Sequence, residues 1–409
     1  MNTKSIIFAG ISFAVFFSGN LHAQTALTVN SEAVVSVRAG AVMFVNGGVQ
    51  LEKNSELNNH GNIFLNVAAN RTADFTDNSA NAYSYGTGNI VFSGNGIQHV
   101  KSINTFGRVE INNNGLTLLS NIKADNWLLK KGRINTGTNY AVVLSSNANA
   151  IESGTSNKGF TSSWFNGNLR RYLTPAVVNN YQFPVGDQAK VFLCEMDNLS
   201  LRPLNRLNYI DAKFNYSPAQ KLNTIQKENG KNYASLSNIG IWQLVPDISP
   251  TAGSYDLKLF VDQYALLPDN HFTVLNNSKS NSWVLPPGST SPANYSKVTP
   301  DAYSYARRNN ISTFNQFGIA TGTDDGSSNA FTVYPDPVTD NEFFIKTGNI
   351  LIKEVRLFTT DNREVNVGSL QYLKNSFVKV LLPPSLPKAA YIVRVITEND
   401  IKISRIIIQ

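Results

Sequence analysis

The residue types that do chemistry are present in this chain but scattered. His60, His99 and His271 stand far apart, each beside turn residues, and none has the i, i+2 or i, i+4 partner of a zinc site. They read as structural or solvent-exposed, and no metal site is expected. Cys194 is the single cysteine, so no intrachain disulfide forms; without an activating neighbour it reads as a small buried hydrophobe. Asp324-Asp325-Gly326 lacks the alternating oxygen ligands and closing Glu of a calcium loop. Asp74 and Asp77 fall in the insertion ANRTADFTDNSANAYSYG, where a solvated bulge is the expected reading and an ion or ligand site the alternative. No G-x-S-x-G elbow, phosphate-binding loop or dinucleotide fingerprint occurs, and no catalytic set or cofactor is expected.

Glycoside cleavage needs two carboxylates about 5–10 Å apart. Glu110, Asp125, Glu152, Glu195 and Asp197 are available, yet no spacing pairs any two on one face. Arg108, Lys130, Lys131 and Arg133 line one face if adjacent rungs of a solenoid stack there, which is the best case for a polysaccharide-degrading enzyme. Sugar binding asks only for exposed aromatic platforms with polar neighbours. Trp164, Trp283, Tyr83 and Tyr85 are the candidate glycan contacts, with core or edge packing as the competing reading. Trp127 and Trp242 are candidates as well, but Trp242, inside IGIWQLV, belongs to a core alternation.

The elements that must position these residues are strands. In residues 24–155, apolar runs of three to five residues recur every 8 to 12, each closed by Asn or Gly, which tolerate left-handed backbone at low cost. No segment holds a 3.6-residue apolar period for three turns. A short β-solenoid or a sandwich fits; the N-x-G corners and scarcity of Pro favour the solenoid. Residues 156–321 have longer strands, more aromatics and edge prolines, the texture of a sandwich. Residues 322–330, GTDDGSSNA, read as a linker. Residues 331–409 alternate with period two and read as a small seven-stranded sandwich, with Asp361-Asn362 as a hairpin turn and Pro335 and Pro337 forcing an extended kink. The fold class is therefore all-β.

Only 15% of the 409 residues are charged, and the net charge of +7 is spread thin. Basic residues exceed acidic ones by one in residues 24–155, three in 156–330 and two in 331–409, with no basic run longer than Arg170-Arg171 or Lys130-Lys131. Counterion-release binding needs a concentrated patch, so no nucleic-acid partner is expected. Lys4, the apolar run IIFAGISFAVFF and SGNLHA make residues 1–23 a secretory signal peptide, cut between Ala23 and Gln24. No other apolar stretch is long enough to span a membrane as a helix.

Two resemblances add to this. YPDPV, VRLFTTDNREV and YIVRVITENDIKISRIIIQ, in that order, resemble the type A C-terminal sorting domain of type IX secretion substrates in the Bacteroidetes. The likeness marks Tyr334, Pro335, Pro337, Ala390, Tyr391 and Lys402 as sorting-signal residues, Ala390 standing where the family has Gly. It implies export to the cell surface or medium, with the type IX machinery, its sortase and surface lipopolysaccharide as partners. GNIVFSGNGIQHV, TFGRVEINNNGLTLLSNI and WLLKKGRINTGTNYAVVL resemble the β-rich repeats of adhesin-like Bacteroidetes surface proteins. Gly167, Leu169, Arg171 and Phe183-Pro184-Val185-Gly186 resemble the segment that follows those repeats. The expectation is a secreted or surface, non-catalytic structural or adhesive protein. The alternatives are a glycan-binding module for extracellular polysaccharide and a polysaccharide-degrading enzyme.

Overall fold

Short Val, Ile and Leu runs closed by Asn or Gly cannot bury a face alone, so they stack on one another. The computed structural model describes residues 5–7, 25–69, 71–154, 160–174, 180–201, 208–261, 271–277, 282–292, 304–324, 332–347, 351–374, 377–397 and 401–409. Among these there is no α-helix, only a 3-10 turn at Ala148–Ala150. The chain divides into two units, residues 1–226 with 233–322 and residues 227–232 with 323–409.

In the first unit, β1 (Ser5–Ile7) lies parallel to Val34–Ser36. The first turn of a solenoid holds β2 (Thr25–Val29), β3 (Val34–Val37) and β4 (Val42–Asn46). The second holds β5 (Gly48–Leu51), β6 (Glu56–Asn59) and β7 (Asn62–Val67). β8 (Phe75–Asp77) and β9 (Asn89–Gly94) belong to the third, and β10 (Ile97–Lys101) opens the fourth. β11 (Thr105–Leu118) and β12 (Ile122–Val143) are long because each turns a corner and serves two faces.

Parallel in-register stacking sets like above like. On one face the inward column reads Met43, Ile63, Ile90, Val109, Trp127 and then Ile151 of β13 (Ile151–Ser153). Trp127 is fully buried, packs edge-on against Phe165 at 5.3 Å and donates its Nε1–H to Val142 O at 3.3 Å. The N-x-G corners are closed by their own asparagines: Asn59 Oδ1 accepts from Gly61 N at 3.1 Å and Asn113 Oδ1 from Gly115 N at 3.0 Å. At Gly94 (φ +100°) a Cβ would stand 2.1 Å from Val67 O, so only glycine fits.

Parallel stacking continues beyond residue 155. β14 (Phe165–Tyr172) lies parallel to β12, and after β15 (Tyr181–Phe183), β16 (Val185–Gly186) lies parallel to β14. The solenoid thus makes about seven turns over residues 25–186. It ends where the second half of β14 takes an antiparallel partner, β18 (Tyr209–Asn215), after β17 (Cys194–Asp197). β18, β19 (Gln220–Glu228) and β20 (Lys231–Pro246) extend that sheet; β21 (Tyr255–Val261) belongs to another. β22 (Phe272–Asn277) and β24 (Asn315–Asp324) complete the first sheet, while β23 (Ser304–Ile311) pairs with β21 to give the order β15-β17-β21-β23 in the second. Trp242, Phe214 and Val274 from one sheet share a continuous core with Cys194, Met196 and Leu259 from the other, and the solenoid interior belongs to it.

The second unit has two four-stranded antiparallel sheets. One contains β25 (Thr332–Tyr334) and β26 (Glu342–Lys346); the other contains β27 (Ile352–Thr359) and β28 (Glu364–Val365). β29 (Ser369–Lys374) and β30 (Phe377–Leu381) join the first, β31 (Ala390–Thr397) and β32 (Ile401–Ile407) the second. Its separate core includes Phe343, Leu357, Val380, Val393 and Ile406. Eight strands are present among the described residues rather than seven, because Glu364–Val365 pairs as a two-residue strand with β27 after the Asp361-Asn362 turn. Asn362 (φ +70°) makes that turn.

Candidate functional site

Of the four basic residues expected on one solenoid face, Lys130 and Arg108 are paired with carboxylates there. Glu110, Leu128 and Glu152 occupy consecutive positions of one outward column, which sets the Cα atoms of the two glutamates about 9.5 Å apart, two strand spacings. Sequence spacing does not pair these two; the stacking register brings them together. Glu195 and Asp197, two apart on β17, share a face by spacing, which corrects the expectation that no spacing pairs two carboxylates. Lys130 Nζ sits 2.7 Å from Glu110 Oε1, and Arg108 Nη2 sits 3.0 Å from Glu152 Oε2. Arg133 turns to Asn135 Oδ1 at 2.8 Å and to Gln188 O, and Lys131 is exposed. Each carboxylate is engaged by a cation rather than held in the apolar pocket that suits a catalytic acid.

Asp77 is not in a solvated bulge. It shares the parity of Phe75 on β8, stacks on Leu51, and is 4% exposed. Tyr85 OH and Asn104 Nδ2 donate to its Oδ2, Ser102 Oγ donates at 3.1 Å, and Ser79 N donates to Oδ1 at 2.8 Å. Burial, then Asp77, pushes the Tyr85 phenol well above its ordinary pKa. Tyr85 is 1% exposed, so it is no sugar platform: the ring closes the core against Phe75 and Phe106. Tyr83 is half-buried, accepts from Leu57 N at 3.0 Å, and is pushed up to about 12, chiefly by burial. Asp74 pairs with His99 Nδ1 at 2.7 Å, and His60 Nδ1 lies 3.2 Å from Thr87 Oγ1.

Trp164 is half-buried and donates Nε1–H to Asp187 O at 2.9 Å; Trp283 is half-buried against Leu222, Tyr233 and Leu275. The structure does not bring these two tryptophans and Tyr83 into one platform. An aromatic row that sequence spacing does not show crosses β12, β14 and β18. Arg170 lies between Tyr140 and Tyr209, 4.7 and 3.9 Å from their centroids, and makes a bidentate pair with Asp211 at 2.7 and 2.8 Å. Tyr172 extends the row at 5.4 Å from Tyr209. The guanidinium covers one face of Tyr209, so the row is a cation–π ladder rather than a set of open platforms.

The second sheet of the sandwich carries a cluster of paired charges. Glu195 and Asp197 face outward from β17, alternating with the inward Cys194 and Met196, and are 6% and 8% exposed. Lys258, directly opposite Glu195 on β21, places Nζ 2.5 Å from Glu195 Oε1 and 2.6 Å from Asp197 Oδ2. Burial opposes the Lys258 charge, but Asp197 and Glu195 more than offset it and raise its pKa. Glu195 Oε2 accepts from Gln182 Nε2 at 3.2 Å, and Asp197 Oδ1 from Asn180 N at 2.8 Å. Asp256 accepts from Asn310 N, Arg307 Nη2 and Asn198 Nδ2 at 3.0, 2.9 and 2.8 Å. Burial alone would raise the Asp256 pKa; the Asn310 N–H and the Arg307 and Asn198 donors overcome it and hold the carboxyl below its usual value. A depressed folded pKa contributes stability above the unfolded value near 3.9, which is lost as pH falls through the folded pKa. Denaturant midpoints followed by tryptophan fluorescence should therefore drop below about pH 4, and Asp256→Asn should flatten that acid limb while lowering the neutral-pH midpoint.

No family model, curated protein or solved structure matches this chain. The function therefore rests on residues and geometry. Among the described residues no group of three or more His, Cys, Asp or Glu is arranged to hold a metal ion. Among the described residues no helix is long and apolar enough to cross a membrane.

In the C-terminal unit, Tyr334 stacks on Phe344 at 5.8 Å, and the exposed Pro335 and Pro337 carry the chain from β25 towards β26 through two cis bonds. Val338 beyond them is buried and bridges Ile408. Tyr391 is 2% exposed and donates its OH to Pro387 O at 2.8 Å; Ala390 is half-buried opposite Ile407. Lys402 is half-buried on β32 opposite Val395. Ala23 and Gln24, and Asp325-Gly326 of the linker, lie outside the described residues.

Proposed function

We propose that this is a non-catalytic structural or adhesive protein of the cell surface or surrounding medium. Its amino-terminal leader directs Sec export, and residues 331–409 then act as a type IX sorting domain. One observation carries this reading: the tail is a unit with its own core and a two-sheet fold, and the residues of its three resembling blocks lie within it. An appended unit of this kind suits a delivery signal, whereas the solenoid and sandwich supply a rigid display body. The proposed partners are the type IX machinery with its sortase and surface lipopolysaccharide. Deleting residues 331–409 should leave the remainder folded but retained in the periplasm; cell fractionation showing normal surface display overturns the proposal.

A glycan-binding role for extracellular polysaccharide is the second reading, favoured by the half-exposed Trp164 and Trp283. A glycan array on residues 24–330 tests it. The enzyme reading draws only on the Glu110 and Glu152 column. Residues 24–330 should release no reducing or unsaturated sugar ends from a polysaccharide panel, and release of either sinks the non-catalytic assignment.

A further inference from the structure

We propose that Lys258 and Asp197 become joined by an intramolecular amide bond across β17 and β21, with Glu195 as the catalytic proton carrier. The inference rests on this sheet alone and is independent of the export reading.

The register creates the triad. Glu195 and Asp197 are two apart on one strand and project from the same face, and Lys258 on the facing strand is opposite the first and diagonal to the second. Its Nζ reaches both, at 2.5 and 2.6 Å. The three side chains are 17%, 7% and 11% exposed for Lys258, Glu195 and Asp197, so water has little access to compete. Asp256, the other carboxylate of this face, is engaged by Arg307, Asn198 and Asn310. The two oxygens of Asp197 have different surroundings. Oδ1 accepts the Asn180 N–H, while Oδ2 faces the lysine. That is the polarity an acyl acceptor needs: one oxygen held to carry developing negative charge, the other positioned to leave.

The step balances without an outside reagent. Glu195 takes one proton from the Lys258 ammonium and delivers it to Asp197 Oδ2. The freed nitrogen lone pair attacks Asp197 Cγ, and the carbonyl electron pair moves onto Oδ1 against the Asn180 N–H. Glu195 relays a second nitrogen proton as the Cγ–Oδ2 bond breaks, and Oδ2 departs as water. The third proton stays on the new amide nitrogen. One positive and one negative charge vanish, so two poorly solvated ions are replaced by a neutral group. Fixed proximity replaces the activation that such a bond needs in free solution.

The test is intact mass of the purified full chain under denaturing conditions. The natural chain should be lighter by one water than expected from Lys258→Arg or Asp197→Ala once the substitution itself is subtracted. Proteolysis should yield a branched peptide joining Lys258 to Asp197. Glu195→Gln should form the bond about a hundredfold more slowly. A folded natural chain with no water lost overturns the proposal, whatever the variants do. A branch from Lys258 to Glu195 overturns the assignment of the acceptor, and undiminished bonding in Glu195→Gln overturns its catalytic role.

Discussion

Asp77→Ala should lose about 3–5 kcal/mol of stability, the largest effect expected from any single solenoid carboxylate. The carboxylate is the common acceptor for Tyr85 OH, Asn104 Nδ2, Ser102 Oγ and Ser79 N. Removing it leaves Tyr85 OH, Asn104 Nδ2 and Ser102 Oγ, all on residues 1% exposed, without this acceptor, and each buried unpaired group costs about 1–3 kcal/mol. Partial relief comes from the Tyr85–Ser102 contact at 2.7 Å and the Asn104–Ser79 bond at 2.8 Å, which survive. Asp77→Asn keeps the shape but turns an amide group towards donors, so it should rescue only part of the loss. The chain's four tryptophans lie at 127, 164, 242 and 283, outside the C-terminal unit, so their fluorescence during denaturant unfolding reports the first unit alone. An Asp77→Ala midpoint equal to that of the natural chain would mean the network is ornamental.

Arg171→Met should cost about 3–5 kcal/mol by the same measurement. The guanidinium is 0% exposed, donates to Gln182 O, Asn147 O and Ala148 O, and lies 4.6 Å from the Tyr181 centroid. Burial pulls its pKa down to about 10, with Tyr181 opposing, which leaves it charged at neutral pH. It ties the turn around Ala148–Ala150 to β15, at the point where the solenoid gives way to the sandwich. Methionine fills the volume but abandons three carbonyls. Arg171→Lys keeps the charge yet cannot fork to three acceptors, so it should recover less than half of the loss.

Much of the fold is legible in residues because its rules are local. Asn59-His60-Gly61 and Asn113-Asn114-Gly115 announce corners, since Asn can cap the bend and Gly can pass beneath a neighbouring strand. Period-two alternation likewise marks β31 as a half-buried strand. Asp77 was legible in part: it is two residues from Phe75, and on a strand that spacing fixes a shared face. The insertion around it reads as a loop in sequence because the three-residue strand is too short to show a period. Glu195 and Asp197 carry the same two-residue signal, but Lys258 arrives from a distant strand through register, which no local spacing reveals. The Glu110 and Glu152 column and the Tyr140, Arg170 and Tyr209 ladder depend on register in the same way.

The six parallel strands on one solenoid face, from Val42–Asn46 to Ile151–Ser153, rise through five strand spacings, about 24 Å. Drawn out as a single extended strand, residues 42–153 would reach roughly 370 Å. The coil therefore gives up length for stiffness: it is a post, not a tether. Tension along its axis meets the backbone hydrogen bonds of one turn at a time, so the load it can bear is set by its weakest turn rather than by their sum.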